Sequence, residues 1–164
     1  MTNSSPTQLI LERRLNAPRA LVFQTWTDPV HLAQWWGPRG FTTPVCEVDA
    51  RPGGTIRIHL QAPDGTLIQT EGVFQEILEP ERIVFTNSAF KDDHGEAQLE
   101  TQYTVTFTEQ DTKTKLTVHA LVTKAGPGVT PSLSSMESGW NESLDRLATL
   151  VDATPSAPSA PFRR

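Results

Sequence analysis

Residues 131–152, PSLSSMESGWNESLDRLATLVD, decide the architecture. Leu133, Met136, Trp140, Leu144, Leu147, Ala148 and Val151 recur at spacings of three and four, while Glu137, Glu142, Asp145 and Arg146 fall on other faces. That pattern describes one long amphipathic helix with a broad apolar stripe, opened by Pro131. Such a stripe must be buried against something, and what precedes it is written in a different period.

From Phe41 to Val122 the sequence reads as strands separated by turn chemistry at Arg51-Pro52-Gly53-Gly54, Pro63-Asp64-Gly65 and Glu79-Pro80-Glu81. Alternation is clearest at Ile56, Ile58 and Leu60, at Tyr103, Val105 and Phe107, and at Leu116, Val118, Ala120 and Val122. Each strand therefore offers one apolar face, and the C-terminal helix is the only long helical pattern left to cover it. Ahead of this meander, residues 7–15 read as a first strand whose Leu9, Leu11 and Arg13 are expected on one face. Two short helices follow. Pro18 is expected in the first turn of one that carries Leu21, Val22, Phe23 and Trp26. Asp28-Pro29 launches the other, through Leu32, Trp35 and Trp36, until Gly37-Pro38 stops it. The expectation is an α+β domain over residues 1–152, followed by a disordered Pro, Ala and Ser tail over 153–164 whose composition offers too little apolar surface to offset ordering.

Bulk properties narrow the function classes. A chain of 164 residues fits one domain and buries roughly two-thirds of its unfolded surface. The net charge of -5 gives no electrostatic ground for binding nucleic acid. The single cysteine, Cys46, cannot form an internal disulfide; no apolar run is long enough to span a bilayer, and the N-terminus lacks the apolar core of a signal peptide. These features point to the cytoplasm.

The punctuating residues carry a resemblance. Trp26, Pro29, Leu32, Trp35-Trp36-Gly37-Pro38, Asp49-Ala50-Arg51-Pro52-Gly53-Gly54, Pro63-Asp64-Gly65, Gly72, Glu76-Ile77, Pro80-Glu81-Arg82 and Gly139-Trp140 through Ser143-Leu144-Asp145-Arg146-Leu147 resemble, in order, the activator of heat-shock protein 90 ATPase homologue family. That family lies within the START-like, or SRPBCC, superfamily. The resemblance implies a helix-grip (START-like, Bet v-like) fold, in which a curved antiparallel sheet wraps the long helix and leaves an apolar cavity between them. It further implies binding of a small hydrophobic molecule. Ile58, Leu60, Phe74, Phe85, Leu99, Tyr103, Met136, Trp140 and Leu144 are the expected cavity residues, and Trp35 and Trp36 an expected lid. Association with the heat-shock partner is an alternative the family name suggests. The chain starts at the first strand, without the extra N-terminal domain of the eukaryotic co-chaperone, which speaks against that alternative. An enzyme of the cyclase or hydrolase kind is a third reading.

No constellation for catalysis or metal binding stands out. Cys46 lies on a strand without a neighbouring histidine, and His31, His59, His94 and His119 are scattered. Lys91-Asp92-Asp93-His94-Gly95-Glu96 has oxygen and nitrogen ligands but no EF-hand spacing, so a solvated hairpin is expected. Arg51-Pro52-Gly53-Gly54 lacks the lysine and following helix of a phosphate loop. Glu76 and Arg82 read as an ion pair across a strand turn. No cofactor motif is present, and self-association through an exposed strand edge is the one oligomeric contact the pattern offers.

Overall fold

A computed structural model describes residues 8–91, 93–126 and 133–153. The elements run β1 (Gln8–Leu15), α1 (Arg19–Thr27), α2 (Pro29–Trp35), β2 (Thr42–Val48), β3 (Thr55–Gln61), β4 (Leu67–Leu78), β5 (Arg82–Lys91), β6 (Ala97–Gln110), β7 (Lys113–Ala125) and α3 (Leu133–Ala153). All strands belong to one seven-stranded antiparallel sheet in the order β1-β7-β6-β5-β4-β3-β2. β2 to β7 are thus a plain meander, and β1 closes beside β7.

Local chemistry explains the element ends. Asp28 caps α2, its carboxylate accepting from the Val30 backbone N–H at 2.9 Å, with Pro29 behind it at the first helical position. Pro18 stands one place earlier than the sequence pattern suggests: its ψ of 151° is extended, so it is the N-cap of α1, and its carbonyl accepts from Val22 N at 3.2 Å. A fixed φ suits either position, and proline at the cap still denies no backbone donor that the helix needs. Pro131 and the segment from 154 onward lie outside the described residues, and α3 runs one residue further than expected, to Ala153.

Curvature has a visible cause at Gly72. A Cβ there would lie 1.7 Å from the Thr86 carbonyl oxygen, so only glycine lets β4 press against β5 at this point. A bulge between Phe74 and Glu76 adds to the bend of β4. The concave face so formed receives the apolar rows of every strand, and α3 lies across it.

Ties between distant segments fix that helix. Arg13 of β1 donates to Asp145 at 2.8 Å, and Asn16 reaches Asp152 at 3.3 Å, so the C-terminal end of α3 sits beside the Leu15 end of β1. Nearer its N-terminus, Trp140 contacts Tyr103, whose register partner on β7 is Ala120 and, beyond it, Leu9 of β1. The helix therefore runs from the level of Leu9 and Tyr103 towards the Leu15 end of the sheet.

Candidate functional site

Burial along α3 is graded, and the gradient marks the candidate site. Leu144, Leu147 and Val151 are 1%, 0% and 2% exposed, sealed against β1, α1 and α2. Met136 and Trp140, one to two turns nearer the N-terminus, are only partly buried though they face the same core. The sheet beneath shows the same trend. Val105 and Phe107 on β6 are sealed, whereas Tyr103 keeps some exposure and Leu99 is half-buried. Leu60 on β3 is also partly buried. Partial burial of large side chains on the N-terminal half of α3 is thus matched by partial burial on the strands it faces, although smaller gaps such as those at Leu21, Ile77 and Leu150 occur elsewhere around the core.

Aromatic rings floor this region. All four tryptophans of the chain, Trp26, Trp35, Trp36 and Trp140, meet in one cluster, with ring centroids from 4.6 Å (Trp26 to Trp35) to 6.1 Å (Trp26 to Trp36). Tyr103 stacks on Phe85 at 5.0 Å and touches Trp140 at 5.5 Å, which bridges helix to sheet. Edge-on and offset contacts of this kind contribute about 0.5–1.5 kcal/mol each beyond area burial. Burial pushes the Tyr103 phenol above its ordinary value, while polar contact with the Trp140 indole and the Thr101 hydroxyl pulls it partly back. The phenol is therefore neutral throughout the physiological range.

Of the expected cavity residues, Ile58, Phe74, Phe85 and Leu144 are each 1% exposed and belong to the sealed part of the core. Leu60, Leu99, Tyr103, Met136 and Trp140 gather at the incompletely sealed end. Trp35 is fully buried with its indole N–H on the Thr25 carbonyl at 2.9 Å, and Trp36 packs edge-on against Trp140 at 5.3 Å.

The segment that follows those two indoles is fastened to α3. Arg146 donates to the carbonyls of Gln34 and Gly37, both at 2.9 Å, and of Pro38 at 3.3 Å. A guanidinium at the C-terminus of α2 satisfies carbonyls that the helix leaves open and opposes the negative end of its dipole. Gly37 N–H donates to Ser143 Oγ at 3.1 Å, and Arg39 N–H to Glu142 at 3.0 Å. Gly37 has a φ of +102°, and a Cβ there would meet Leu60 Cδ2 at 2.7 Å, so the strap must pass close over Leu60. Ser143 and Arg146 fasten this segment, a role the helical periodicity does not reveal; it places Arg146 on a polar face without naming its partners. The signal for Ser143 was the polar run Asn141-Glu142-Ser143 beside an apolar stripe.

Other groups are engaged elsewhere. Cys46 is half-buried on β2; burial, with a smaller push from Asp28, raises its thiol to about 11. Glu76 and Arg82 form a bidentate pair at 2.9 and 3.0 Å on the exposed side of the sheet. In the hairpin between β5 and β6, Glu96 pairs with Lys124 at 2.7 Å, and Asp92 lies outside the described residues. Among the described residues no three His, Cys, Asp or Glu side chains converge as a metal site, and no helix is long and apolar enough to cross a membrane.

A single curved antiparallel sheet closed over one long C-terminal helix, with two short helices inserted after the first strand, defines a helix-grip protein of the START-like kind. The family described as "Activator of Hsp90 ATPase homolog 1-like protein" matches residues 16–152, and the chain belongs to that family. Solved structures agree. Protein CV1439 from Chromobacterium violaceum is 30% identical, with a TM-score of 0.78 over 90% of this chain and 98% of that one. A protein from Arthrobacter aurescens superposes with a TM-score of 0.76 at 22% identity, covering 95% of each chain. The AHSA1 (SPO3351) protein from Silicibacter pomeroyi does so with 0.72 at 23% identity, covering 89% and 98%. No curated protein matches the sequence.

Proposed function

We propose that this protein holds a small hydrophobic molecule between the N-terminal half of α3 and the concave face of the sheet. The observation that supports the reading is the burial gradient. Met136, Trp140, Leu60 and Leu99 point inward yet are not sealed, while Leu144, Leu147 and Val151 on the same helix are. Large apolar and aromatic groups left incompletely packed at one end of a core are the usual lining of a ligand pocket. The family to which the chain belongs supports a START-like container in the same place.

A thermal-shift screen of lipophilic compounds, read alongside native mass spectrometry, tests the proposal. A ligand present at a hundred times its dissociation constant stabilises the folded state by about 2.7 kcal/mol, which displaces the melting temperature by several degrees in a domain of this size. One-to-one adducts that raise the melting temperature are expected. A screen in which no compound binds or stabilises would contradict it.

A further inference from the structure

Polar side chains on the inner rows of the sheet, such as Arg13, Thr70 and Thr114, are hydrogen-bonded, and Asn87 stands apart from them. On β5 the inward positions are Ile83, Phe85, Asn87 and Ala89, so an amide interrupts the row. Its register partner on β6 is Thr101, 4% exposed, and Tyr103 follows two positions along the same face. The Asn87 amide is half-buried and makes no side-chain hydrogen bond to another described residue. From above, the Trp140 indole contacts Tyr103. Four uncharged polar groups from three elements thus converge at the end of the sandwich that is incompletely sealed.

A buried polar group in an apolar row is informative because it costs free energy unless paired, whereas an apolar residue at the same place would not. Asn87 supplies two donors and an acceptor, Thr101 and Tyr103 a hydroxyl each, and Trp140 a donor. What the notch lacks is charge. Ile56, Ile58 and Leu60 on β3, Ile83 to Ala89 on the inner row of β5 and Leu99 to Phe107 on that of β6 include no Lys, Arg, His, Asp or Glu. The arginines that meet α3 from within are committed: Arg146 to three carbonyls, Arg13 to Asp145 and Asn141. A carboxylate placed there would lose its hydration without gaining a counter-ion, which is a severe cost.

We infer that the occupant of this pocket is an uncharged apolar compound with one hydroxyl or carbonyl oxygen, seated on Asn87, Thr101 and Tyr103, and that anionic lipids such as fatty acids are excluded. The inference rests on the pocket reading above and adds to it the polarity of the guest. Alcohols, phenols and ketones with a compact hydrocarbon body are the class that matches.

Isothermal titration with three matched probes separates the two ideas. Ethylbenzene carries no polar group, 4-ethylphenol a neutral hydroxyl, and 4-ethylbenzoate a charge at the same place. The expected order is 4-ethylphenol about tenfold tighter than ethylbenzene, with 4-ethylbenzoate at least about tenfold weaker than either, tenfold being the effect of one well-made hydrogen bond of about 1.4 kcal/mol. The near-isosteric variants Asn87→Leu and Thr101→Val should each remove most of the 4-ethylphenol advantage and leave ethylbenzene binding within about twofold. Tyr103→Phe keeps the ring packing and serves where either variant fails to fold, as judged by its unfolding transition. Equal binding of all three probes, or tightest binding of 4-ethylbenzoate, overturns the inference while leaving the pocket intact. Failure of every probe to bind removes the pocket and the inference together.

Discussion

Arg146 and Gly37, 109 positions apart in the sequence, are joined by a hydrogen bond of 2.9 Å from the guanidinium Nη1 to the Gly37 carbonyl oxygen. This bond, with those to Gln34 and Pro38, makes one side chain of α3 the terminus of α2. The helix is held to the rest of the fold on that side by polar contacts, and on the other by the apolar stripe.

Replacing Arg146 by Met keeps the length of the side chain and removes the charge and all three bonds. A cost of about 2–3 kcal/mol is expected in urea unfolding, since charge-assisted bonds in partly buried settings contribute more than neutral ones. Faster amide exchange at residues 36–41 should accompany it. An Arg146→Met protein as stable as the parent would show that the strap is held by its indoles alone.

The burial gradient predicts unequal truncation costs along one helix. Leu147→Ala, at a fully sealed position, should lose about 2–5 kcal/mol, the range for cavity creation in a close-packed core. Met136→Ala, at a position only partly buried, should lose less than about 1 kcal/mol. Equal losses would mean that the N-terminal half of α3 is as tightly packed as the rest.

Acid sensitivity should be traceable to Asp145. A hydrogen bond and charge from Arg13, helped by Arg39, hold its carboxyl below the ordinary value. A carboxyl depressed on folding adds stability that is complete above its unfolded pKa of about 3.9 and is lost as pH falls through the lower folded value. Asp145→Asn should therefore flatten the acid limb of the stability curve below about pH 4 and lower the plateau near neutrality. Because the side chain is nearly half exposed, the change is no more than about 1 kcal/mol. An unchanged acid limb would place that sensitivity on other carboxylates, such as Glu76, which Arg82 depresses in the same way.

Cys46 should be chemically quiet. With its thiol raised to about 11, the thiolate is a trace species at pH 7, and reaction with a disulfide reagent should be far slower in the folded protein than after unfolding. Rapid labelling of the native protein at neutral pH would contradict this placement.

The architecture was legible because its signals were periodic. The stripe from Leu133 to Val151 could be nothing but a long helix, and the alternation at Ile56, Ile58 and Leu60 or at Tyr103, Val105 and Phe107 recurs in the sheet. Turn residues then set the meander. The site was legible only in part. Periodicity places Leu60, Tyr103 and Trp140 on an inner face but carries no information on packing density, so sealed Phe74 and half-buried Leu99 read alike. Asn87 was missed because one amide in a strand of mixed polarity, Thr86-Asn87-Ser88, gives no phase; only the register against Thr101 shows which way it faces. Arg146 was missed for a related reason, since its partners are backbone carbonyls, and a sequence does not reveal where a carbonyl points.

The central claim is that space remains between Met136 and Trp140 on the helix and Leu99 and Tyr103 on the sheet. A crystal structure under xenon pressure measures this most directly, because xenon enters apolar cavities irrespective of any polar preference. The expected result is an ordered xenon atom within van der Waals distance of those four side chains. A crystal that takes up no xenon there, with the four side chains packed in direct contact, would contradict the container.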